Sequence, residues 1–203
     1  MVDFIKNRHE VLKKEDDLFK EAEDLREDSS KIYLNLGCGG RILEGFINID
    51  KYYEDPQVIN SDIKSLPYSD KSVDCIFCSH VLEHLPIRHA KLAIKEWERV
   101  LKDQGRLFLS IPDLEVIIIK FLDPTIDSNS KEWLLYTLFG FQTNPGNTDP
   151  EILDYPVDLG QFHTGGFTKE TISDELKKNG FIIRDIFNFD GWGTPSIWVE
   201  AYV

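Results

Sequence analysis

The chain has 203 residues, enough for one substantial hydrophobic core and too few for two comfortable domains. Its hydrophobic content of 41% is typical of a globular protein, and its net charge of −13 disfavours contact with the phosphates of nucleic acid. The sequence predicts neither a membrane-spanning stretch nor a secretory signal, and its three cysteines fit a cytoplasmic protein better than a disulfide framework.

Residues 1–30 are strongly charged and carry apolar residues at helical spacing. The pattern predicts one or two amphipathic helices as an N-terminal extension. Such helices could pack on the edge of a sheet or cover a binding site, and the spacing leaves both options open.

The next stretch, KIYLNLGCGGRILEGFINID, predicts a strand, a sharp glycine turn and a second strand that ends at Asp50. Glycines directly after a strand let the backbone approach a ligand closely, because they carry no Cβ. An acidic residue that ends the following strand is suited to bind the two hydroxyls of a ribose. These features predict a site for an adenosine-containing cofactor.

A nicotinamide or flavin site is disfavoured by two details. The third glycine of the G-x-G-x-x-G pattern would fall on Ile42, and Asp50 lies closer to Gly37 than the ~20 residues that such a site requires.

Residues 61–86 add the phrase LPYSDKSVD, preceded by Asp62 and Ile63 and followed by an apolar strand. Together with the glycine turn and Asp50, this segment resembles the class I S-adenosylmethionine-dependent methyltransferases over roughly residues 31–112. Two positions depart from the family pattern: Asn35 replaces the usual Asp, and Arg41 replaces the third glycine.

The resemblance implies an α/β, Rossmann-like fold with a mostly parallel central sheet, helices on both faces and an antiparallel C-terminal edge strand. It implies S-adenosyl-L-methionine as the cofactor, with Asp50 on the ribose and Asp62 and Ile63 at the adenine. The residues expected to surround the cofactor are Asn35, Gly37, Cys38, Gly39, Asp50, Lys51, Asp62, Ile63, Ser79 and His80.

The pair Cys75-x-x-Cys78 could indicate a metal or redox site. It lies within the apolar stretch VDCIFCS and has no second cysteine pair to complete a zinc site, so we interpret both residues as buried strand cysteines.

The segment SHVLEHL at 79–85 contains two of the three candidate catalytic residues, Glu83 and His84, and His163 lies far beyond it. His163, His84 and Glu83 are the candidates for a general base, because an amine or hydroxyl acceptor must lose a proton. His80, Glu83, His84 and His163 also resemble the metal sites of some metal-dependent O-methyltransferases. His80 stands where those enzymes have Glu, which suits magnesium poorly, and we expect no metal.

The remaining chain predicts a helix that begins near Pro86 and ends at Gly105, and a fifth strand over residues 106–112. Residues 113–167 are expected to form an acceptor-side cap with helices over residues 114–122 and 131–141. A helix capped by Thr168 and stopped at Gly180 then precedes two C-terminal strands.

We therefore interpret residues 1–203 as a single methyltransferase domain that acts on a hydroxyl or amine of a small polar acceptor. A sugar or glycan precursor is the favoured acceptor, because GCGGRILEGFINID resembles methyltransferase-like proteins of bacterial surface-glycan biosynthesis. A non-catalytic domain that retains the fold for cofactor binding or protein contact is the alternative, favoured by Asn35 and Arg41. Neither a nucleic-acid nor a membrane partner is expected, and the oligomeric state stays open, with a homodimer as one option.

Overall fold

The computed structural model describes residues 30–140, 162–191 and 194–203. The predicted helices of residues 1–29 and the segment 141–161 of the predicted cap lie outside the described residues. Within the described part, no helix is long and apolar enough to cross a membrane. The strands are β1 (Tyr33–Leu36), β2 (Ile47–Asp50), β3 (Val58–Asn60), β4 (Val73–Ser79), β5 (Leu101–Pro112), β6 (Ile182–Gly191) and β7 (Thr194–Tyr202). The helices are α1 (Ile87–Val100), α2 (Leu114–Leu122), α3 (Ser128–Phe139) and α4 (Lys169–Lys178), and a 3-10 turn spans Leu82–His84.

The seven strands form one sheet in the order β3-β2-β1-β4-β5-β7-β6. Strands β1 to β5 run parallel, and β7 lies antiparallel between β5 and the edge strand β6. The mostly parallel α/β sheet with antiparallel C-terminal strands is therefore confirmed.

The sheet is buried on both faces, which explains why its central strands read as nearly continuous apolar runs. Aliphatic side chains on one face pack against α1 and α4, and aromatic side chains dominate the other face. The first cluster includes Leu34, Leu36, Ile49, Ile76, Leu107, Leu109, Ile197 and Val199. The second consists of Tyr33, Phe46, Cys75, Phe77, Phe108, Phe189 and Trp198.

The cysteine interpretation is confirmed. Cys75 and Cys78 are buried in the clusters on opposite faces of β4, so their sulfur atoms cannot share a ligand. Burial raises the pKa of the Cys75 thiol to about 12 and raises that of Cys78 well above its ordinary value. Both thiols are therefore neutral packing groups.

Helix α1 follows Pro86 and buries a stripe of side chains at helical spacing, as predicted: Ala90, Ala93, Ile94, Trp97 and Val100. The buried indole nitrogen of Trp97 donates to the Ile63 carbonyl oxygen at 3.1 Å. This hydrogen bond ties the helix to the loop that follows β3.

The predicted end of this helix at Gly105 is wrong. The helix ends at Val100, and β5 begins at the next residue. A Cβ on Gly105 would lie 2.7 Å from the Lys102 carbonyl oxygen, and Gln104 has a φ of +64°. The glycine is required by a tight bend at the start of β5, which the sequence alone does not distinguish from a helix stop.

Side-chain caps set the starts of the later helices. Asp113 accepts hydrogen bonds from two backbone amides of α2, and Thr168 exchanges bonds with Thr171 in a capping box on α4, as expected at Thr168. Asp127 caps α3, which therefore starts at Ser128, three residues before the predicted start.

Candidate functional site

The predicted cofactor residues follow three adjacent parallel strands. The glycine turn follows β1, Asp50 ends β2, and Ser79 and His80 lie at the end of β4, which pairs with β1 on the side opposite β2. Because the carboxyl ends of parallel strands meet at one edge, these residues surround one crevice at the centre of the sheet.

The glycine turn packs directly against the segment that follows β4. Gly37 has a φ of +65°, and a Cβ there would lie 2.4 Å from a methyl carbon of Val81. The amides of Gly37 and Cys38 donate to the Ile49 carbonyl oxygen, at 2.8 and 3.2 Å. The turn thus bends back over β2 and touches Val81, which only a residue without a side chain permits.

Asp50 connects the glycine turn to the loop after β2. Its Oδ2 accepts a hydrogen bond from the amide of Gly39 at 2.9 Å. Its Oδ1 accepts from the amides of Tyr52 and Tyr53, at 2.8 and 3.0 Å. A carboxylate oxygen can accept about two hydrogen bonds, so Oδ2 retains the greater capacity for a further donor.

Asn35 stabilises the glycine turn through hydrogen bonds. It is buried, and its Nδ2 donates to the Arg41 carbonyl oxygen at 2.9 Å and to Asn48 Oδ1 at 2.8 Å. Asn48 in turn accepts from the amide of Leu43 and donates to the carbonyl of the same residue. An Asp at position 35 could make neither donation, since an ionised carboxylate only accepts. The two departures from the family pattern, Asn35 and Arg41, are therefore joined by a hydrogen bond.

The Asp62 carboxylate forms ion pairs with two lysines. Its carboxylate contacts Lys64 Nζ at 2.8 Å and Lys51 Nζ at 3.1 Å. Burial alone would raise the pKa of Asp62, but the hydrogen bonds from Lys64 and Lys51 outweigh it and lower the pKa to about 2. Ile63, the expected adenine neighbour, is buried in the aliphatic core cluster. Cys38 is also buried, which, with the nearby Asp50 charge, raises its pKa to about 11.

The candidate catalytic residues converge beside this crevice. His80, with a φ of +54°, begins the turn, and its Nδ1 donates to Oε1 of Glu83 at 3.1 Å. The amides of Thr164 and Gly165 donate to the Glu83 carbonyl oxygen at 2.8 and 3.0 Å. These bonds bring the segment containing His163 onto the 3-10 turn.

The two imidazoles of this cluster are fixed by backbone oxygens. His84 Nδ1 donates to the Phe162 carbonyl oxygen at 3.2 Å, and His163 Nδ1 donates to the Thr137 carbonyl oxygen at 2.7 Å. The rings meet edge to face with their centroids 4.7 Å apart. In a neutral imidazole with Nδ1 as the donor, the lone pair lies on Nε2.

The surroundings of Glu83 favour its ionised form. Burial acts to raise the pKa of Glu83, but the hydrogen bond from His80 and the fields of His80, His84 and His163 outweigh it and lower that pKa. Burial lowers the pKa of His163, although the Glu83 charge acts in the opposite direction.

Several residues that position the predicted site residues could not be recognised in the sequence. Asn48, Val81 and Lys64 carry no motif of their own, and the carbonyl of Thr137 acts through its backbone. The signal available for Asn48 was its place in a buried strand, where an amide needs a partner.

The Gly37–Val81 contact predicts a difference between two glycine substitutions. Gly37→Ala should destabilise the protein by about 1–3 kcal/mol more than Gly39→Ala. Both residues have positive φ, so both variants carry a similar backbone strain, but a Cβ on Gly39 would meet no atom within 4 Å. Urea denaturation measures the difference. Adding Val81→Ala should recover part of the loss in Gly37→Ala, and equal stability of the two single variants would contradict the contact.

The Asn35 hydrogen bonds predict that Asp, the residue usual at this position in the family, would destabilise this protein. Asn35→Asp should lower the free energy of unfolding by about 1–3 kcal/mol at neutral pH, because a buried carboxylate would face two oxygen acceptors. Asn60→Asp is the matched control, since Asn60 also donates to a backbone oxygen but is exposed to water. An Asn35→Asp variant as stable as the wild type in urea would refute this role.

Part of the chain matches a known family model, and solved structures share its fold. Residues 40–109 match the family model described as "Methyltransferase domain", and no curated protein sequence matches the chain. A methyltransferase from Methanosarcina mazei is 17% identical, with a TM-score of 0.60 over 89% of this chain and 96% of that one. A methyltransferase from Clostridium acetobutylicum is 16% identical, with a TM-score of 0.58 over 92% of this chain and 89% of that one.

Magnesium protoporphyrin IX methyltransferase from Synechocystis, solved with bound S-adenosylhomocysteine, is 16% identical, with a TM-score of 0.51 over 85% of this chain and 74% of that one. These structures share the fold of this chain. The model that residues 40–109 match describes a methyltransferase domain, in agreement with the resemblance found in the sequence.

Proposed function

We propose that this protein transfers the methyl group of S-adenosylmethionine to a hydroxyl or amine of a small polar acceptor, with a sugar or glycan precursor as the favoured class. The observation that carries the proposal is the contact between Gly37 and Val81. It sets the glycine turn against the segment that bears Glu83 and His84. A donor half and an acceptor half thus adjoin at one crevice.

The donor half consists of the glycine turn, Asp50 and the residues after β3. In this proposal Asp50 Oδ2 accepts the ribose hydroxyls while Oδ1 holds the loop amides of Tyr52 and Tyr53. The ion pair between Asp62 and Lys64 keeps the Asp62 carboxylate ionised at the adenine end. Ser79 and His80 border the donor half at the end of β4.

The acceptor half consists of Glu83, His84 and His163. Methyl transfer from a sulfonium requires mainly alignment, because the leaving group is already activated. A hydroxyl or amine acceptor must also lose a proton. The Nε2 atom of His163 carries a lone pair, and Thr137 fixes the ring that bears it. The cluster thus provides a polar surface that can hold an acceptor oxygen or nitrogen and take up its proton.

The acceptor class is supported by charge and by resemblance. A net charge of −13 disfavours a polyanionic nucleic acid as acceptor, whereas a sugar hydroxyl carries no charge to repel. The segment GCGGRILEGFINID resembles methyltransferase-like proteins of bacterial surface-glycan biosynthesis. The non-catalytic alternative loses part of its support, since Asn35 donates to the Arg41 carbonyl oxygen and so has a structural role in the turn.

Loss of the Asp50 carboxylate should weaken cofactor binding. Asp50→Ala should reduce the affinity for S-adenosylhomocysteine by ~1.5–3 kcal/mol for each charged hydrogen bond lost, as measured by isothermal titration calorimetry. Asp55→Ala removes the same charge from the neighbouring loop and should change the affinity little. Circular dichroism must show both variants folded, because Asp50 also holds three amides. Unchanged affinity in a folded Asp50→Ala variant would refute the donor site.

Turnover should depend on His163 and on a hydroxyl or amine acceptor. Formation of S-adenosylhomocysteine should rise with one or more members of a panel of sugars, nucleotide sugars and amino sugars. With such an acceptor, His163→Ala should lower the rate ~10²–10⁴-fold at unchanged affinity for S-adenosylhomocysteine. His89→Ala, an exposed histidine of α1, is the matched control. A fully active, folded His163→Ala enzyme would contradict the acceptor half.

A further inference from the structure

Two consecutive side chains meet a third from a distant part of the sequence. Among the described residues, Glu83, His84 and His163 each offer one ligand atom, and these atoms lie within 4.8 Å of one another. Hydrogen bonds with other groups fix each side chain. The convergence is therefore a feature of the fold and not of one free rotamer.

Glu83 lacks a partner for one of its two oxygens. The residue is only 2% exposed, Oε1 accepts from His80, and Oε2 receives no hydrogen bond from the described residues. A buried carboxylate oxygen without a partner is costly, and native proteins seldom retain one without a use. The free oxygen lies on the side chain that shares the cluster with the two imidazoles.

Both imidazoles are held in the form that binds metals. His84 and His163 each use Nδ1 on a backbone carbonyl oxygen, that of Phe162 and that of Thr137. Metal-binding histidines commonly donate one ring N–H to a carbonyl or carboxylate, which orients the ring and leaves the other nitrogen for the metal. His80 provides the equivalent support for Glu83, because it holds Oε1.

We propose that Glu83 Oε2, His84 Nε2 and His163 Nε2 bind one divalent transition-metal cation, which holds the acceptor oxygen during methyl transfer. The site deepens the proposed function, because it rests on that function's acceptor half. Two imidazoles and one carboxylate favour Zn²⁺, Mn²⁺, Fe²⁺ or Co²⁺ over Mg²⁺ and Ca²⁺. Three protein ligands leave coordination positions open for an acceptor.

The spacing of the three ligand atoms is compatible with one ion. Ligands at about 2.1 Å from a common ion lie at most about 4.2 Å apart. The three atoms lie within 4.8 Å of one another, so a pair at that upper bound would have to approach by about 0.6 Å. The cation would compensate the charge of Glu83. This inference departs from the sequence-based expectation of no metal. That expectation rested on His80 as a poor ligand, whereas in the structure His80 holds Oε1 of Glu83 and the three other residues converge.

With a bound cation, the acceptor hydroxyl would lose its proton in a different way. A cation lowers the pKa of a bound hydroxyl, so the proton leaves to solvent and His163 need not act as a free base. The acceptor oxygen then forms a bond to the methyl carbon, and the sulfur–methyl bond breaks. The electron pair of that bond stays on sulfur, giving neutral S-adenosylhomocysteine.

The test uses Co²⁺ as a spectroscopic probe on the full chain after removal of metals with a chelator. We expect one Co²⁺ per chain, with visible absorption bands that shift when Zn²⁺ displaces it. His80→Ala should weaken Co²⁺ binding by ~10–100-fold, because it removes a group that positions a ligand. His84→Gln and His163→Gln should weaken it by more, while the exposed His89→Gln should not change it.

Circular dichroism and S-adenosylhomocysteine affinity provide the controls for folding. Failure of the folded wild type to bind Co²⁺ or Zn²⁺ at millimolar concentration would overturn the site. Co²⁺ binding that survives in folded His84→Gln and His163→Gln variants would also overturn it, because the ion would then lie elsewhere. Methyl transfer that persists after exhaustive chelation would refute the role of the cation and leave the proposed function intact. Metal binding without any methyl transfer would leave the metal site intact and refute the proposed function together with the role of the cation in it.

Discussion

The site depends on the close approach of two loops at Gly37 and Val81. Any side chain at position 37 would overlap the valine, so the missing Cβ is what lets the glycine turn and the turn after β4 touch. Each loop is then stabilised separately. Asn35 and Asp50 hold the glycine turn from the strands, and His80 holds Glu83 within the second turn. The glycine turn and the polar cluster become neighbours through this contact.

A second close approach brings His163 to the cluster from the far end of the chain. The amides of Thr164 and Gly165 donate to the Glu83 carbonyl oxygen, and Thr164 Oγ1 donates to the His84 carbonyl oxygen at 2.9 Å. A Cβ on Gly165 would lie 2.5 Å from the Leu85 carbonyl oxygen, so a glycine is needed here as well. Backbone contacts therefore determine where His163 lies, which makes its position independent of the side chains it joins.

The sequence was sufficient for features that follow from local patterns. The strand-turn-strand of residues 32–50 and the cap at Thr168 depend on spacing and on turn chemistry, and both are present. The antiparallel C-terminal strands were expected from the resemblance alone and are also present. The end of α1 was misjudged at Gly105, because a glycine required by a bend in a strand looks the same in sequence as one that stops a helix.

Features that depend on contacts between distant residues could not be predicted in this way. Asn35 appeared to be a weakened version of the family's Asp, whereas in the structure it donates two hydrogen bonds that an Asp could not make. The pairing of Asp62 with Lys64 and the free oxygen of Glu83 likewise arise from tertiary packing. The residue types of the site were predictable, but their hydrogen-bond partners were not.

The central claim is that one crevice holds the methyl donor on one side and an acceptor-binding cation on the other. Crystals of the full chain soaked with S-adenosylhomocysteine and Mn²⁺, with anomalous diffraction collected at the manganese edge, test it most directly. We predict electron density for the ribose at Asp50 and one anomalous peak among Glu83, His84 and His163, on the side of the crevice that the sulfur faces. Ligand density away from Asp50, or crystals with the ligand bound at Asp50 and no anomalous peak at the three side chains, would contradict the account.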